Sequence, residues 1–511
     1  MRCTTRRCAV PSNTHPLPTP ATRTRAHILS LVLRSRETEY TQIQFPPHDI
    51  YNMPVVYVGL GSNMGCRMAH LRSALTALRA VGERVRASHV YETAPMHLTN
   101  QAPFLNAAVR LTTDLDPLSL LAFLKKTEAE AGRKTGGVRN GPRPLDLDVL
   151  MYENVAVDHE DLVVPHPRIS ERPFVLRPLL DVLEDDRDIR KFRDVLHNID
   201  DPPRVQRVYP GTSGYARSTS IQDSGIPRIF GVLNITPDSF SDGGRFCSTS
   251  GDGVVVDVER AVDAALRLVE AGATVVDVGA ESTRPGGDAV DPRVQIDRAL
   301  RSIERIHESV DADDVSISID TTSSIVAKEA IRVGASIVND VSGGRDDPLM
   351  FKTVATAGVP IVLMHRRGPD AFSSTAKTYA NGVVLDASFE MRSAISDAES
   401  AGVPRWDVVV DPGLGFSKTP EQSYAMLRDL DRFHSAVGHA PLLIGASRKA
   451  FLGSDRSPVD RDHAHSALCA WLMREEEKEG DWREALSFRV HDVSAARGAF
   501  GIARRMRDGV L

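Results

Sequence analysis

Cysteine, long apolar runs and an excess of basic charge are scarce or absent in this sequence, and each absence narrows the class of protein. The five cysteines among 511 residues are scattered, odd in number and never spaced as CxxC, which indicates a reducing compartment without zinc or thiol chemistry. No apolar run approaches the roughly 20 residues that cross a bilayer, so we expect a soluble protein. A net charge of −6 argues against a general nucleic-acid binder, although it allows a local basic pocket.

Two familiar phosphate-binding signatures are also missing. The turn Gly59-Leu60-Gly61 begins like a dinucleotide fingerprint, but Met64 stands where the third glycine is required. A GxxxxGK[ST] loop occurs nowhere in the chain. We therefore reject a dinucleotide-binding interpretation.

Two segments lack the periodicity of folded elements. Segment 1–53 contains seven arginines up to Arg36 and no acidic residue in that stretch, which is typical of a transit peptide; a disordered leader or a start at Met53 are the alternatives. We accordingly expect a mitochondrial protein if the leader is a transit peptide and a cytoplasmic one otherwise. Segment 201–227 is rich in Pro, Gly, Ser and Thr and is predicted to link domains at 54–200 and 228–511.

The second predicted domain contains eight short apolar runs, each followed by polar side chains. The runs alternate with amphipathic stretches such as 257–271, which predicts an eight-stranded α/β barrel of the TIM type. Because the carboxyl ends of the strands of such a barrel meet at one mouth, the residues there form a candidate active site. In chain order these residues are Asn234, Asp277, Asp320, Asn339, His365, Asp411, Lys449, Arg489 and His491.

The mouth residues predict two neighbouring subsites. Two carboxylates and an amide, from Asp320, Asp411 and Asn339, suit a ligand edge that offers several N–H donors. Cationic side chains after the last two strands stand where barrels commonly hold phosphate: Arg448, Lys449, Arg489 and His491. The alternative is that each forms an ordinary salt bridge at the rim.

The first predicted domain has no eightfold rhythm, which favours a small α+β sandwich. Asp146 and Asp148 are two apart in a predicted strand, so they project from one face and would repel each other without a cation between them. Mg2+ with phosphates completing its shell would satisfy both carboxylates. Arginines just upstream add forks for phosphate oxygens: Arg133, Arg139 and Arg143. The alternative is a solvated surface pair.

The strings GLGSN, ETAP, QAPFLNAAV, NGPRPLDLDVL and VPHPRISERPFVLRPL, in that order, resemble 6-hydroxymethyl-7,8-dihydropterin pyrophosphokinase over nearly the whole first domain. The resemblance implies a ferredoxin-like α+β sandwich that moves pyrophosphate from ATP to the hydroxymethyl group of a pterin, using Mg2+. By match, Asp146 and Asp148 are the metal ligands, and Arg133 and Arg143 are catalytic. The ATP and phosphate contacts are Gln101, Glu128, Arg139, His166 and Arg172. The pterin pocket is Thr93, Phe104, Asn106 and Phe174. Departures from the family pattern are Cys66, Thr135 and Asn140.

A second series of strings resembles dihydropteroate synthase from Phe230 to the C-terminus: GVLNITPDSFSDGG, DVGAESTRPGG, SIDTT, VNDVSGG, LMHRRG, DPGLGFSKT, GASRKAF and RVHDV. The resemblance implies condensation of dihydropterin pyrophosphate with p-aminobenzoate, in competition with sulfonamides. By match, the catalytic residues are Asp242, Lys449, Arg489 and His491. The pterin contacts are Asp320, Asn339, Met364, Asp411, Phe416 and Lys449. Arg284, Arg489 and His491 hold the pyrophosphate, Asn234 holds it through Mg2+, and Thr283, Pro285 and Ser447 border the aminobenzoate pocket. Loops 237–244 and 282–287 are expected to act as mobile lids.

Together the two resemblances imply a bifunctional enzyme of folate biosynthesis that uses Mg2+ in both domains and ATP as a co-substrate. Two alternatives stay open: the barrel as a pterin-binding methyltransferase module, and the first domain as a degenerate, structural partner of an active synthase. The expected partners are small molecules, without nucleic acid or membrane, in a homo-oligomer formed through the barrel. The aldolase step that supplies the hydroxymethyl pterin is expected to lie on another chain.

Overall fold

A computed structural model describes most of both predicted domains. The described residues are 53–96, 98–134, 136, 140–199, 205–210, 226–236, 247–250, 253–281, 290–312, 314–368, 373, 375–474 and 482–508. The predicted leader up to residue 52 and both predicted lids lie outside them. Within these ranges, no helix combines the length and apolarity that a membrane crossing requires.

The first domain is an antiparallel sheet with helices on both faces. Its strands are β1 (Val55–Ser62), β2 (Glu83–Ala87), β3 (Val90–Thr93), β4 (Phe104–Thr112), β5 (Asp146–Tyr152), β6 (Val157–His159), β7 (Leu162–Val164) and β8 (Val205–Val208). Its helices are α1 (Arg67–Val81), α2 (Pro117–Glu130), α3 (Pro173–Leu180) and α4 (Asp186–His197). The main sheet has the order β5-β1-β4-β3-β8, with β2 beside β4.

Alternation along β1 explains the two helical layers. Val56, Val58 and Leu60 pack with the apolar residues of α1 and α2, whereas Tyr57 packs with those of α3 and α4. Helix α2 begins where Asp116 accepts hydrogen bonds from the backbone of Leu118 and Ser119. Helix α1 begins after Cys66, whose side chain makes no hydrogen bond to the first turn of the helix.

Strand β8 was not predicted, because it lies in the segment assigned to the linker. Val205–Val208 pairs antiparallel with β3 and so extends the sheet of the first domain. Next to this strand, the ring of Tyr209 lies 4.9 Å from the guanidinium carbons of both Arg207 and Arg228. The start of the barrel therefore lies beside the last strand of the sheet.

The second domain is a closed parallel barrel. Its strands are β9 (Arg228–Asn234), β12 (Val275–Gly279), β13 (Ser316–Asp320), β14 (Ile337–Asp340), β15 (Ile361–Met364), β16 (Val408–Asp411), β17 (Leu442–Ile444) and β18 (Leu486–Val490). Their order around the barrel is β12-β13-β14-β15-β16-β17-β18-β9. An unpredicted hairpin of β10 (Cys247–Ser250) and β11 (Gly253–Val256) follows β9. The helices are α5 (Val258–Ala271), α6 (Pro292–Ser309), α7 (Ser324–Arg332), α8 (Met350–Ala357), α9 (Val383–Ser400), α10 (Pro420–Arg428), α11 (Leu430–Ala436), α12 (Pro458–Leu472) and α13 (Val493–Asp508).

Side chains of alternate residues divide the barrel core into two layers. Ile229 and Val276 belong to the large cluster shared with the helices, whereas the neighbouring Phe230 and Val275 belong to a separate buried cluster inside the strands. The α+β sandwich followed by an eight-stranded α/β barrel is thus confirmed as the fold class.

The two domains pack directly on each other. Nε and Nη2 of Arg72, on α1, donate to the two oxygens of the buried carboxylate of Asp407 at 3.0 and 2.6 Å. The neighbouring Trp406 is buried within the apolar core of the first domain. A bidentate pair with an adjacent buried indole fixes the orientation of the two domains.

Three buried histidines predict that acid weakens the fold. Burial lowers the pKa of His365 and of His434 to about 3 and that of His465 to about 4. Between pH 6.5 and these values the unfolded chain binds more protons, so stability falls as the pH drops through this window. Each imidazole contributes up to about 1.4 kcal/mol per pH unit.

We therefore expect the thermal midpoint to fall between pH 7.5 and 5, and His434→Gln to make this fall shallower. Differential scanning calorimetry at several pH values measures both slopes. His463→Gln, at an exposed position, serves as the control and should leave the slope unchanged. An unchanged slope in His434→Gln would contradict the prediction.

Candidate active sites

The first site is centred on Gly61, near the end of β1. Strand register places Gly61 between Asn106 of β4 and Asp146 of β5. A Cβ atom added to Gly61 would lie 3.5 Å from Oδ1 of Asn106, 3.6 Å from Cβ of Asp146 and 3.9 Å from the ring of Phe104. One predicted metal ligand and two predicted pterin residues therefore border one glycine, whose missing side chain leaves space for a ligand.

Asp146 is held by two of the predicted arginines. Nη1 of Arg133 lies 2.6 Å from Oδ1 of Asp146, and Nη1 of Arg143 lies 3.0 Å from Oδ2. Burial alone would raise the pKa of Asp146, but Arg143 and Arg133 outweigh it and lower the pKa. The other predicted ligand, Asp148, is more exposed and lies 4.0 Å from Arg172.

Glu128 supports Arg133 from the buried side. Its carboxylate accepts hydrogen bonds from the backbone N–H of Leu147 at 2.7 Å and from Lys125 at 2.9 Å, and it lies 2.7 Å from Arg133. Arg133 thus bridges Glu128 and Asp146. In this arrangement Glu128 orients the arginine that faces the carboxylate pair.

Two of the predicted pterin residues, Asn106 and Thr93, are joined by a hydrogen bond. Nδ2 of Asn106 donates to Oγ1 of Thr93 at 2.8 Å, and both side chains are buried. Phe104 lies opposite Thr93 in the β3–β4 pairing. Phe174 lies under the guanidinium of Arg172, at 5.8 Å.

Asn63 is a site residue that the motif analysis did not single out. Its side chain donates to Gln101 and to the carbonyl of Ala102, and it accepts from the backbone N–H of Arg143 at 2.8 Å. Gln101 also donates to the carbonyl of Asn140. Asn63 therefore holds together the two segments that carry Gln101 and Arg143, which explains the asparagine in the GLGSN string.

His166 follows the Val164–Pro165 bond, which is cis. Its Nδ1 accepts from the backbone N–H of Arg168 at 3.1 Å, and burial lowers its pKa. Arg139 and Thr135 lie outside the described residues.

The second site lies at the mouth of the barrel. Strand register places Asn234, Gly279, Asp320 and Asn339 side by side on four neighbouring strands. Gly279 contributes no side chain to this row. A Cβ atom there would lie only 3.0 Å from Oδ1 of Asn234, so the glycine leaves room for that amide. Three predicted ligand-binding side chains therefore stand in one row, as the barrel interpretation required.

Arg489 joins the two predicted subsites. Its Nε donates to Oδ2 of Asp277 at 2.6 Å, and its Nη2 donates to Oδ2 of Asp320 at 2.8 Å. Burial opposes the charge of Arg489, but the two carboxylates raise its pKa. For Asp320, burial raises the pKa, and Arg489 opposes this shift. Arg489, which is predicted to bind pyrophosphate, thus also positions Asp320, which is predicted to bind the pterin.

Asp277 was noted at a strand end but given no role. It is fully buried, and its Oδ2 also accepts from Nδ2 of Asn339 at 3.3 Å. Its Oδ1 has no hydrogen-bond partner among the described residues. Asp277 therefore fixes both Arg489 and Asn339, and its other oxygen is available for a donor.

Asp411 and Lys449 form the opposite wall. A Cβ atom at Gly445 would lie 3.2 Å from Oδ2 of Asp411 and 3.8 Å from Nζ of Lys449, so both groups border this glycine. Lys449 lies 4.7 Å from the centre of the Phe416 ring and donates to the carbonyl of Leu414. Burial lowers the pKa of Lys449 to about 8, and it raises the pKa of Asp411.

A buried hydrogen-bond network around Lys418 holds the residues from Gly413 to Phe416 in place. The sequence motifs do not reveal this network. Nζ of Lys418 lies 2.8 Å from Nδ1 of His365 and donates to the carbonyls of Gly413 and Phe416. Nε2 of His365 lies 3.1 Å from Glu390. His365 thus acts as a neutral link inside the barrel mouth, next to the buried Met364 at the end of β15.

Ser447 connects His491 to a buried aspartate. The Ser447 hydroxyl donates to Oδ1 of Asp462 at 3.0 Å and lies 2.9 Å from Nδ1 of His491. Since a hydroxyl donates only once, Nδ1 of His491 must carry a proton and donate to Ser447. Nε2 of His491 is then the atom left for a ligand, and it donates to a phosphate oxygen when the imidazole carries a second proton. Asp462 also accepts from Nε of Arg448 at 2.8 Å.

We expect Asp462→Asn to lower kcat/KM of the synthase by about tenfold. The change weakens charge-assisted hydrogen bonds that orient His491 and Arg448, a loss of about 1.4 kcal/mol. Steady-state assays should show the loss as a higher KM for the pterin diphosphate and an unchanged KM for the arylamine. Asp263→Asn, on an exposed face of α5, is the control. Equal losses with both variants, or a loss of kinase activity as well, would refute the assignment.

A cavity of about 310 Å³ brings several cationic residues together beside the mouth. Its walls include Asn234, Arg448 and His491, together with Arg267 and the first residues of α13. The remaining predicted residues of this site are Asp242, Thr283, Arg284 and Pro285, which lie outside the described residues.

Two segments of the chain match known protein families. Residues 57–184 match the family described as 7,8-dihydro-6-hydroxymethylpterin-pyrophosphokinase (HPPK), and residues 230–476 match the family described as pterin binding enzyme. The mitochondrial folate synthesis bifunctional protein of Arabidopsis thaliana is 40% identical over 438 residues, which cover 80% of this chain and 76% of the relative. Another folate synthesis bifunctional protein of A. thaliana is 38% identical over 465 residues, 86% of this chain and 93% of the relative.

The fold also agrees with a solved structure. The crystal structure of HPPK-DHPS in complex with substrates has a TM-score of 0.69 and 19% sequence identity, and the match covers 89% of this chain and 99% of that chain. The chain therefore belongs to the family of folate synthesis bifunctional proteins, with an HPPK domain followed by a dihydropteroate synthase barrel, both transferases.

Proposed function

We propose that the first domain transfers pyrophosphate from ATP to 6-hydroxymethyl-7,8-dihydropterin, and that the barrel condenses the product with p-aminobenzoate. In the first domain, Arg133 and Arg143 are placed to meet phosphate oxygens beside the Asp146–Asp148 pair. The pterin would lie at Gly61, between Phe104 and Phe174, with its polar edge at Asn106 and Thr93.

The donor chemistry of the first site fits Mg2+. Asp146 has a guanidinium at each oxygen, which keeps the carboxylate ionised, the form that binds a cation. Asp146 and Asp148 would hold the ion, and phosphate oxygens would complete its shell. When bound, Mg2+ supplies neutralisation of the transferring phosphates.

In the barrel, the pterin would bind Asp320, Asn339 and Asp411, with the diphosphate toward Arg489 and His491. Arg489 and His491 stabilise the departing diphosphate as the carbon–oxygen bond breaks, and the arylamine attacks the pterin methylene. An aniline nitrogen is nucleophilic when unprotonated, so the step needs no general base. Asn234 offers one amide oxygen at the row of strand ends, which suits a contribution to Mg2+ at the diphosphate.

The observation that carries this proposal is the double ion pair of Arg489 with Asp277 and Asp320, at 2.6 and 2.8 Å. The cation that we propose for the diphosphate thereby lies within hydrogen-bond distance of the carboxylate that we propose for the pterin. A methyltransferase module would not require that cation together with Arg448, Lys449 and His491.

A coupled assay tests both reactions at once. The full chain with ATP, Mg2+, hydroxymethyldihydropterin and p-aminobenzoate should form dihydropteroate, and a sulfonamide should inhibit the second step alone. Accumulation of the pterin diphosphate without dihydropteroate would overturn the synthase assignment. Absence of ATP consumption would instead support a degenerate kinase domain.

The proposal includes small-molecule partners only, in a homo-oligomer formed through the barrel. The relatives include proteins named as mitochondrial and one named without a location. A mitochondrial location stays our prediction for a functional leader, and import of a fusion of residues 1–53 to a fluorescent protein tests it.

A further inference from the structure

The two domains enclose a second, strongly basic cleft on the side of the interface that faces away from both sites. Its volume is about 960 Å³. The walls carry six arginines against two glutamates, an excess of four positive charges: Arg79, Arg84, Arg86 and Arg110 from the first domain, and Arg392 and Arg405 from the barrel. None of these residues belongs to the chemistry proposed above.

Strand direction separates the cleft from the mouth of the barrel. Arg405 precedes β16, whereas Asp411 ends that strand, and Gly438 precedes β17. The cleft therefore lies at the amino ends of the barrel strands, opposite to the mouth.

In the first domain, Arg110 pairs with Tyr57, whereas Asn106 pairs with Gly61. Four residues of strand separate these positions, about 13 Å along β4. The cleft is thus also remote from the carboxylate pair.

Several arginines are held in place before any ligand arrives. Nη1 of Arg79 donates to the carbonyl of Gly402 at 2.7 Å, and Nη2 of Arg405 donates to the carbonyl of Gly438 at 3.0 Å. Arg110 lies 2.8 Å from Glu184, but its buried Nε has no hydrogen-bond partner among the described residues. A buried guanidinium N–H without a partner costs free energy that an anion would recover.

The two glutamates neutralise only part of this charge. Glu184 lies between Arg86 and Arg110, at 3.0 and 2.8 Å, and is half exposed. Glu399 lies 3.9 Å from Arg405, and its Oε1 accepts no hydrogen bond from the described residues. The net positive charge of the walls therefore faces the cavity.

We propose that this cleft binds a small polyphosphate anion, inorganic or nucleoside-linked, and that the ligand holds the two domains together. Guanidinium forks match phosphate oxygens in geometry, and an excess of four positive charges matches the charge of a di- or triphosphate. The volume suits a small ligand. Because the arginines come from both domains, an occupied cleft stabilises their packing.

The test compares full-length proteins by isothermal titration with inorganic tripolyphosphate, in EDTA and 150 mM NaCl. The cleft variant is Arg84→Asn with Arg392→Gln. Both side chains are exposed, and asparagine tolerates the positive φ of residue 84. The matched control is Arg193→Gln with Arg301→Gln, two exposed arginines elsewhere on the same domains.

The wild type and the control should bind one more tripolyphosphate than the cleft variant, or bind it at least tenfold more tightly. Both catalytic reactions of the cleft variant should keep their wild-type rates without added tripolyphosphate, because neither substituted side chain belongs to a catalytic site. If ADP displaces tripolyphosphate from the cleft at the same concentration as pyrophosphate does, the ligand is nucleoside-linked. If pyrophosphate displaces it and ADP does not, the ligand is inorganic. Equal stoichiometry and affinity in all three proteins would overturn the proposal.

Discussion

Replacing Arg489 with methionine is expected to lower kcat/KM of the dihydropteroate synthase reaction by about 10²- to 10⁴-fold, the equivalent of 3–5 kcal/mol for one partner of a buried ion pair. The variant loses the cation that faces the departing diphosphate and leaves Asp277 and Asp320 without their shared partner. Binding of the pterin alone should persist through Asn339 and Asp411. Initial rates with supplied pterin diphosphate, together with a pterin titration, measure the two effects.

The kinase reaction on the same chain controls for misfolding, because it should keep its wild-type rate in Arg489→Met. Arg489→Lys retains the charge but cannot reach both carboxylates with one planar fork, so we expect an intermediate rate. Near-wild-type synthase turnover in Arg489→Met would refute the role of this cation.

Changing Asp146 and Asp148 together to asparagine is expected to reduce pyrophosphoryl transfer by at least about 10³-fold, since the pair would lose the charge that holds Mg2+ beside the phosphates. Dihydropteroate should then no longer form from ATP, the hydroxymethyl pterin and p-aminobenzoate. The same protein should make it at the normal rate from supplied pterin diphosphate. Chromatographic quantification of dihydropteroate under both conditions gives the comparison.

Asp158→Asn, at an exposed position of β6, is the matched control for that double variant and should keep both reactions. Coupled synthesis above a tenth of the wild-type rate in the double variant would show that the two carboxylates do not form the metal site. Loss of the synthase reaction as well would instead indicate a general structural defect.

The sequence was sufficient for the barrel because each strand is a short buried apolar run, and a polar residue marks the end of most of them. Two strands begin two residues inside their apolar runs: β15 begins at Ile361 in the run 359–364, and β16 begins at Val408 in the run 406–410. The delay at β16 arises because Trp406 and Asp407 belong to a 3-10 turn that contacts the first domain. Such contacts depend on a distant surface, so periodicity does not reveal them.

The sequence indicates which polar residues follow the strands, but it does not indicate which of them bind each other. Asp277 was visible at the end of its run, yet only the fold shows that it binds Arg489, which is 212 residues away. Asp462 lies within a helix, away from any strand end, and reaches His491 through Ser447. Strand β8 was missed because its four residues lie in a stretch rich in Pro, Gly and Ser.

The contact of Tyr209 with both Arg207 and Arg228 predicts where the chain tolerates insertions. Tyr209 and Arg228, which lie on either side of residues 211–225, are joined by side-chain packing. Doubling the length of chain between two fixed points costs only about 0.6 kcal/mol of closure entropy. Insertions, affinity tags or an engineered protease site should therefore be tolerated there, and a nicked protein should remain one particle.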